Sequence, residues 1–67
     1  MEIDDIRALA DGELETELVE ARRELMNLRF RVATMQLSNV TEIRKVKRRV
    51  ARIMTITRER ELARAAL

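Results

Sequence analysis

The sequence predicts an all-α fold: a long antiparallel two-helix hairpin with a coiled-coil-like seam and room for a short helix in front. Three observations predict it. The 67 residues are 46% hydrophobic and 39% charged, with one Gly and no Pro, the balance of long helices. Leu14, Leu18, Ala21, Leu25, Leu28, Val32 and Met35 recur in alternating steps of four and three, a heptad seam. After a short polar break, Ile43, Val46, Val50 and Ile53 resume the same rhythm.

At the front, Ile3, Ile6 and Leu9 or Ala10 repeat at helical spacing and allow a short helix over 3–9 that folds back on the main pair. The first long helix is expected over 11–36. Asp11, or the Ala10-Asp11 junction, opens it, since Asp can cap free N–H groups, and Glu13, Glu15 and Glu17 favour the positive end of the helix dipole. The turn is expected over 37–41, where Ser38, Asn39 and Thr41 compete with helix through side-chain bonds to the backbone. Asn39 or Thr41 would cap the second helix, expected over 42–62. So short a connection makes the helices antiparallel neighbours, roughly 36 Å and 30 Å long at about 1.5 Å per residue. All 67 residues form a single domain in this reading. Val19, Met26, Phe30, Ala33 and Met54 flank the seam. Residues so placed usually widen the core, and Met26 and Phe30 are expected there; otherwise they face a partner.

The composition excludes much chemistry. Without His or Cys there is no imidazole base, thiol nucleophile or thiolate metal site, so no enzyme, cofactor or metal is expected. The i,i+4 pairs Glu13/Glu17 and Glu20/Glu24 read as a solvated acidic face. No apolar run exceeds three residues, too short to span a bilayer, and the acidic start does not resemble a secretory signal. The expected location is the cytoplasm.

The formal charge of +2 conceals an asymmetry: residues 1–20 carry a net −7 and residues 21–67 a net +9. Twelve of the fourteen basic residues are Arg, whose planar fork grips phosphate in two places. Arg44, Lys45, Lys47, Arg48, Arg49 and Arg52 fan around the second helix away from its seam, and Arg29 and Arg31 add charge near the turn. Such a helix holds its neighbour with one side and lies along a phosphate backbone with the other. With Phe30 as the sole aromatic, base stacking is scarce, which favours folded RNA or duplex recognised by shape and phosphate. A leucine-zipper factor is disfavoured because the basic stripe overlaps the seam. A membrane-surface helix is disfavoured because the first helix needs the apolar face. From another class, two hairpins could pair into a four-helix bundle, making the chain a protein-interaction adaptor without RNA.

Three stretches carry a family resemblance: Asn27-Leu28-Arg29-Phe30-Arg31, Ala33-Thr34-Met35-Gln36-Leu37, and Ile43 through Ile53 followed by Thr55. In that order and spacing they resemble the large-ribosomal-subunit protein L twenty-nine family, from about Leu14 to Arg60. The resemblance implies a helical hairpin bound to large-subunit ribosomal RNA, near the exit of the nascent-peptide tunnel. It also implies a neighbouring ribosomal protein, L twenty-three, and nascent-chain factors docking nearby. Carried over by motif, Asn27, Arg29, Gln36, Arg44, Lys47, Arg48, Arg52 and Thr55 are the expected RNA contacts, and Arg31 joins them for its charge near the turn. Family members often have Gly where Met35 stands and Pro where Val40 stands. Met35 suits the heptad and is expected to extend the first helix. Lys45 and Arg49 fall where acids or polar residues are common, which implies a more basic surface.

Overall fold

The computed structural model describes residues 2–35 and 40–66. They form three helices, α1 (Ile3–Arg7), α2 (Asp11–Ala33) and α3 (Val40–Ala65), in a rod of 49 × 17 × 17 Å. The α2–α3 pairing is antiparallel. Asp11 bonds Arg60 and Arg64, Arg22 reaches Met54, and Glu24 pairs with Arg49, so numbers rise on one helix as they fall on the other. Among the described residues no helix is long and apolar enough to cross a membrane.

α1 begins with a reciprocal capping box: the Glu2 side chain accepts from the backbone of Asp5, and the Asp5 carboxylate accepts from the Glu2 N–H at 3.2 Å. It ends at Arg7, short of the expected residue 9, because the chain must bend through Ala8–Ala10 to launch α2. Ala10 occupies the N-cap of α2 and offers no side-chain bond. Asp11 was a candidate cap, but its carboxylate is turned to α3 instead.

The core sits away from the hairpin turn. Ile6, Leu14, Ala21, Ile53 and Ile56 form one buried cluster, with Ile3, Leu9, Leu18 and Val50 packed against it. Two helices alone give a single seam; α1 adds the third side, and Ile6 is completely covered. Val46 is also buried, while Leu25, Leu28 and Ile43 are half-buried. The seam therefore thins toward the turn, where no third helix covers it among the described residues. The expectation that Val32 and Met35 complete the seam is not met: Val32 is 40% exposed and Met35 95%. Met26 and Phe30 are likewise outside the core, at 72% and 63%. At about 100° per residue they sit roughly opposite Ala21, on the outer edge of α2.

The helix ends near the turn also differ from expectation. α2 stops at Ala33, and Met35 takes a left-handed φ of 58°. Its N–H bonds the Val32 carbonyl at 3.1 Å, one of the two bonds of a Schellman ending. The Thr34 hydroxyl adds bonds to the Phe30 and Arg31 carbonyls at 3.0 and 3.1 Å. Local satisfaction of these end carbonyls overrides the heptad, which Met35 matches only in spacing. α3 begins two residues earlier and ends three later than expected, so Thr41 is a helical residue and not a cap. Gln36, Ser38 and Asn39 lie outside the described residues.

Candidate nucleic-acid interface

Rotation around each helix sorts the basic residues into separate surfaces. On α3, Val46 faces α2. Lys45 and Arg49 lie about 100° and 60° round from it on one side, with Arg52 and Arg48 beyond them. Lys47 and Arg44 lie on the other side and on the outer edge. On α2, Asn27 and Arg31 turn to the Arg49 side, whereas Arg29 turns to the Lys47 side. The single fan expected from the sequence is thus divided.

On the Arg49 side the two helices enclose an open groove of about 720 Å³. Asn27 and Arg31 line it from α2, and Lys45, Arg48, Arg49 and Arg52 line it from α3. Four of the nine expected RNA contacts (Asn27, Arg31, Arg48 and Arg52) are therefore brought together. Arg29, Arg44 and Lys47 are exposed outside the groove. Thr55 is also outside it, and its hydroxyl donates to the Ala51 carbonyl at 2.8 Å. In that rotamer it has lone pairs to offer a ribose 2′-hydroxyl but no proton for a phosphate. Gln36 is not among the described residues.

Arg49 departs from its expected place on the outer stripe. It reaches across the hairpin to Glu24 at 3.0 Å, and its side chain is only a quarter exposed. Its Nε is buried without a hydrogen-bond partner. Arg49 thus joins the helices as well as charging the groove, and the basic surface gains less from it than the sequence implied. On the opposite side, Arg22 extends over α3 to the Met54 sulfur at 3.8 Å, which partly covers Met54.

A second cluster sets the position of α1, and sequence reasoning missed it. Arg60 donates to Asp11 Oδ1 at 2.8 Å, to the Leu9 carbonyl at 2.7 Å and to the Arg7 carbonyl at 3.1 Å. The last two are carbonyls left free where α1 ends, so one guanidinium satisfies the α1–α2 elbow from α3. Arg64 takes the other Asp11 oxygen, and Arg7 pairs with Glu59 at 3.2 Å. The Arg60 hydrogen bond, with Arg64 nearby, holds the Asp11 carboxyl below its ordinary value of 3.8. An Arg 49 residues along the chain carries no local signal of this role. Only the fold brings it to Asp11.

A helical hairpin with a groove lined by Arg31 of one helix and Lys45, Arg48, Arg49 and Arg52 of the other has the charge and shape that suit a polyanion. Comparison with known proteins makes the class specific. Residues 4–60 match the family model described as "Ribosomal L29 protein". The chain is 51% identical over 67 residues to the "Large ribosomal subunit protein uL29" of Chloroflexus aurantiacus, covering 100% of this chain and 98% of that relative. It is 48% identical over 62 residues to the protein of the same name from Bacillus cytotoxicus, covering 92% of this chain and 94% of that one. The chain belongs to this ribosomal protein family.

Proposed function

We propose that the chain is built into the large ribosomal subunit of the cytoplasm, where it binds folded ribosomal RNA as a structural component without catalysis. The observation that carries this reading is the groove: Asn27 and Arg31 of one helix converge with Arg48 and Arg52 of the other. The packed part of the hairpin holds the cations at fixed separation, so their shape matches one course of phosphates better than another. Arg29, Arg44 and Lys47 lie outside the groove and offer a second set of phosphate contacts on the opposite side and outer edge. Two RNA segments held on two surfaces would be fixed relative to each other. Family membership supports a place near the nascent-peptide exit, beside ribosomal protein L twenty-three and within reach of nascent-chain factors.

The test is salt dependence. Each neutralised phosphate releases counterions, so the logarithm of affinity falls with the logarithm of salt concentration by about 0.7–0.9 per contact. Replacing Arg31, Arg48 and Arg52 together by Gln should lower that slope by about 2–3 for binding to large-subunit ribosomal RNA. The variant should also leave the large-subunit fraction of a sucrose gradient at lower salt than the unaltered chain. An unchanged slope with unchanged sedimentation would sink the groove as the RNA face.

A further inference from the structure

RNA binding leaves one part of the sequence without a role: the acid-rich N-terminal segment, whose charge opposes the rest of the chain. Its position is informative. Ile3 and Ile6 pack α1 onto the core, and the Arg7–Glu59 pair and the Arg60 bonds fix its C-terminal end over the far part of α3. From there α1 points back along α3 toward the turn. Glu2, about one and a half turns before Arg7, lines the same groove as Arg49 and Arg52.

The groove therefore holds five cations, with Glu2, Glu24 and Glu42 as its acids, a net of two positive charges. Glu24 is spent on Arg49. Glu2 belongs to a separately anchored element and sits where the groove runs toward α1. A phosphate backbone that followed the groove in that direction would meet a carboxylate. One that entered and left on the turn side would meet Glu42, but there Arg31, Lys45 and Arg48 outnumber it.

We infer that Glu2 is a specificity determinant of the groove: it closes the α1 end to phosphate and so penalises RNA that runs straight through. The inference rests on the groove being the RNA face. Specificity is a difference of affinities, and a repulsive group that the correct ligand avoids raises it without a new attractive contact. Flexible single strands, which bind any open cationic channel, lose most; a folded RNA whose backbone turns away loses little. Glu2 thereby opposes indiscriminate binding by a chain whose residues 21–67 carry a net +9.

The experiment uses the full chain and two RNAs, a single-stranded oligouridylate and full-length large-subunit ribosomal RNA, with affinities followed across a salt series. At about 50 mM salt, Glu2→Gln should bind oligouridylate about two- to fivefold more tightly and Glu2→Lys about tenfold, the gain fading as salt shortens the Debye length. Ribosomal RNA affinity should rise less than twofold with Glu2→Gln. Glu13→Gln and Glu13→Lys make the same charge changes outside the groove and should have smaller effects. Glu2→Gln keeps an oxygen able to accept the Asp5 N–H, and circular dichroism verifies that α1 persists. Equal gains from the Glu13 variants would reduce the effect to overall charge and overturn the inference, as would no gain at Glu2. Arg48→Gln with Arg52→Gln reads the underlying assignment separately. If that pair leaves ribosomal RNA binding intact, the groove is not the RNA face, and the role of Glu2 falls with it.

Discussion

Met35 offers a direct measure of local strain in the hairpin. Its φ of 58° lies in the left-handed region, where an L side chain brings its Cβ close to the following carbonyl at a cost of roughly 1–2 kcal/mol. The side chain is 95% exposed, so removing it sacrifices almost no packing. Gly takes this conformation freely but gives the unfolded chain more entropy, a counter-effect of about 0.5–1 kcal/mol. Met35→Gly should therefore stabilise the protein by about 0.5–1 kcal/mol, a rise in Tm of about 2–8 °C for a domain of this size. Thermal unfolding followed by circular dichroism measures it, with urea titration as the isothermal check. Met35→Ala is the control: it trims the side chain and keeps the Cβ, so it should not be stabilising. Equal Tm shifts in the two variants, or a lower Tm for Met35→Gly, would refute the strain argument.

Two further expectations concern the elbow. Arg60→Ala should cost about 1–3 kcal/mol, because two carbonyls at the end of α1 lose their donor. Arg60→Lys should recover only part of that, since an ammonium cannot reproduce the fork; the readout is the urea midpoint, and full recovery by Lys would show that charge alone is needed. Asp11 adds a pH dependence. Its carboxyl is held below 3.8 in the folded chain, so its contribution is complete above that value and is lost as pH falls through the lowered one. Asp11→Asn should thus flatten the decline in Tm between about pH 5 and pH 2, and a slope identical to that of the unaltered chain would count against the Asp11–Arg60 bond.

Much of the fold was legible because helix periodicity is local. The spacing from Leu14 to Leu28 and from Ile43 to Ile53 requires two amphipathic helices, and the short break between them requires antiparallel packing. Ile3 and Ile6 were legible as a helical repeat, but that Ile6 would be wholly buried was not. Its burial depends on where α1 lands, and Arg60 and Arg7 decide that through partners on the other side of the molecule. The seam failed at its turn end for a complementary reason. Val32 has the right spacing, but burial needs covering matter, and among the described residues no third helix reaches that end.

The candidate site divides along the same line. Its residue types were readable: Arg in excess, acids segregated to the first twenty residues, and the Asn-Leu-Arg-Phe-Arg element on a helix near its end. Which cations act together was not readable, because it depends on the rotation of each helix about its axis and on the contacts between helices. Those contacts draw Arg49 inward to Glu24, bring Arg31 to Arg48 and Arg52 across the groove, leave Lys47 and Arg29 on the other side, and set Glu2 against the groove. Two amphipathic helices and the sign of the charge on each stretch follow from the order of residues along one helix, and so could be read without a fold. Which charges share a surface could not, because the distance between residues on different helices is set by packing.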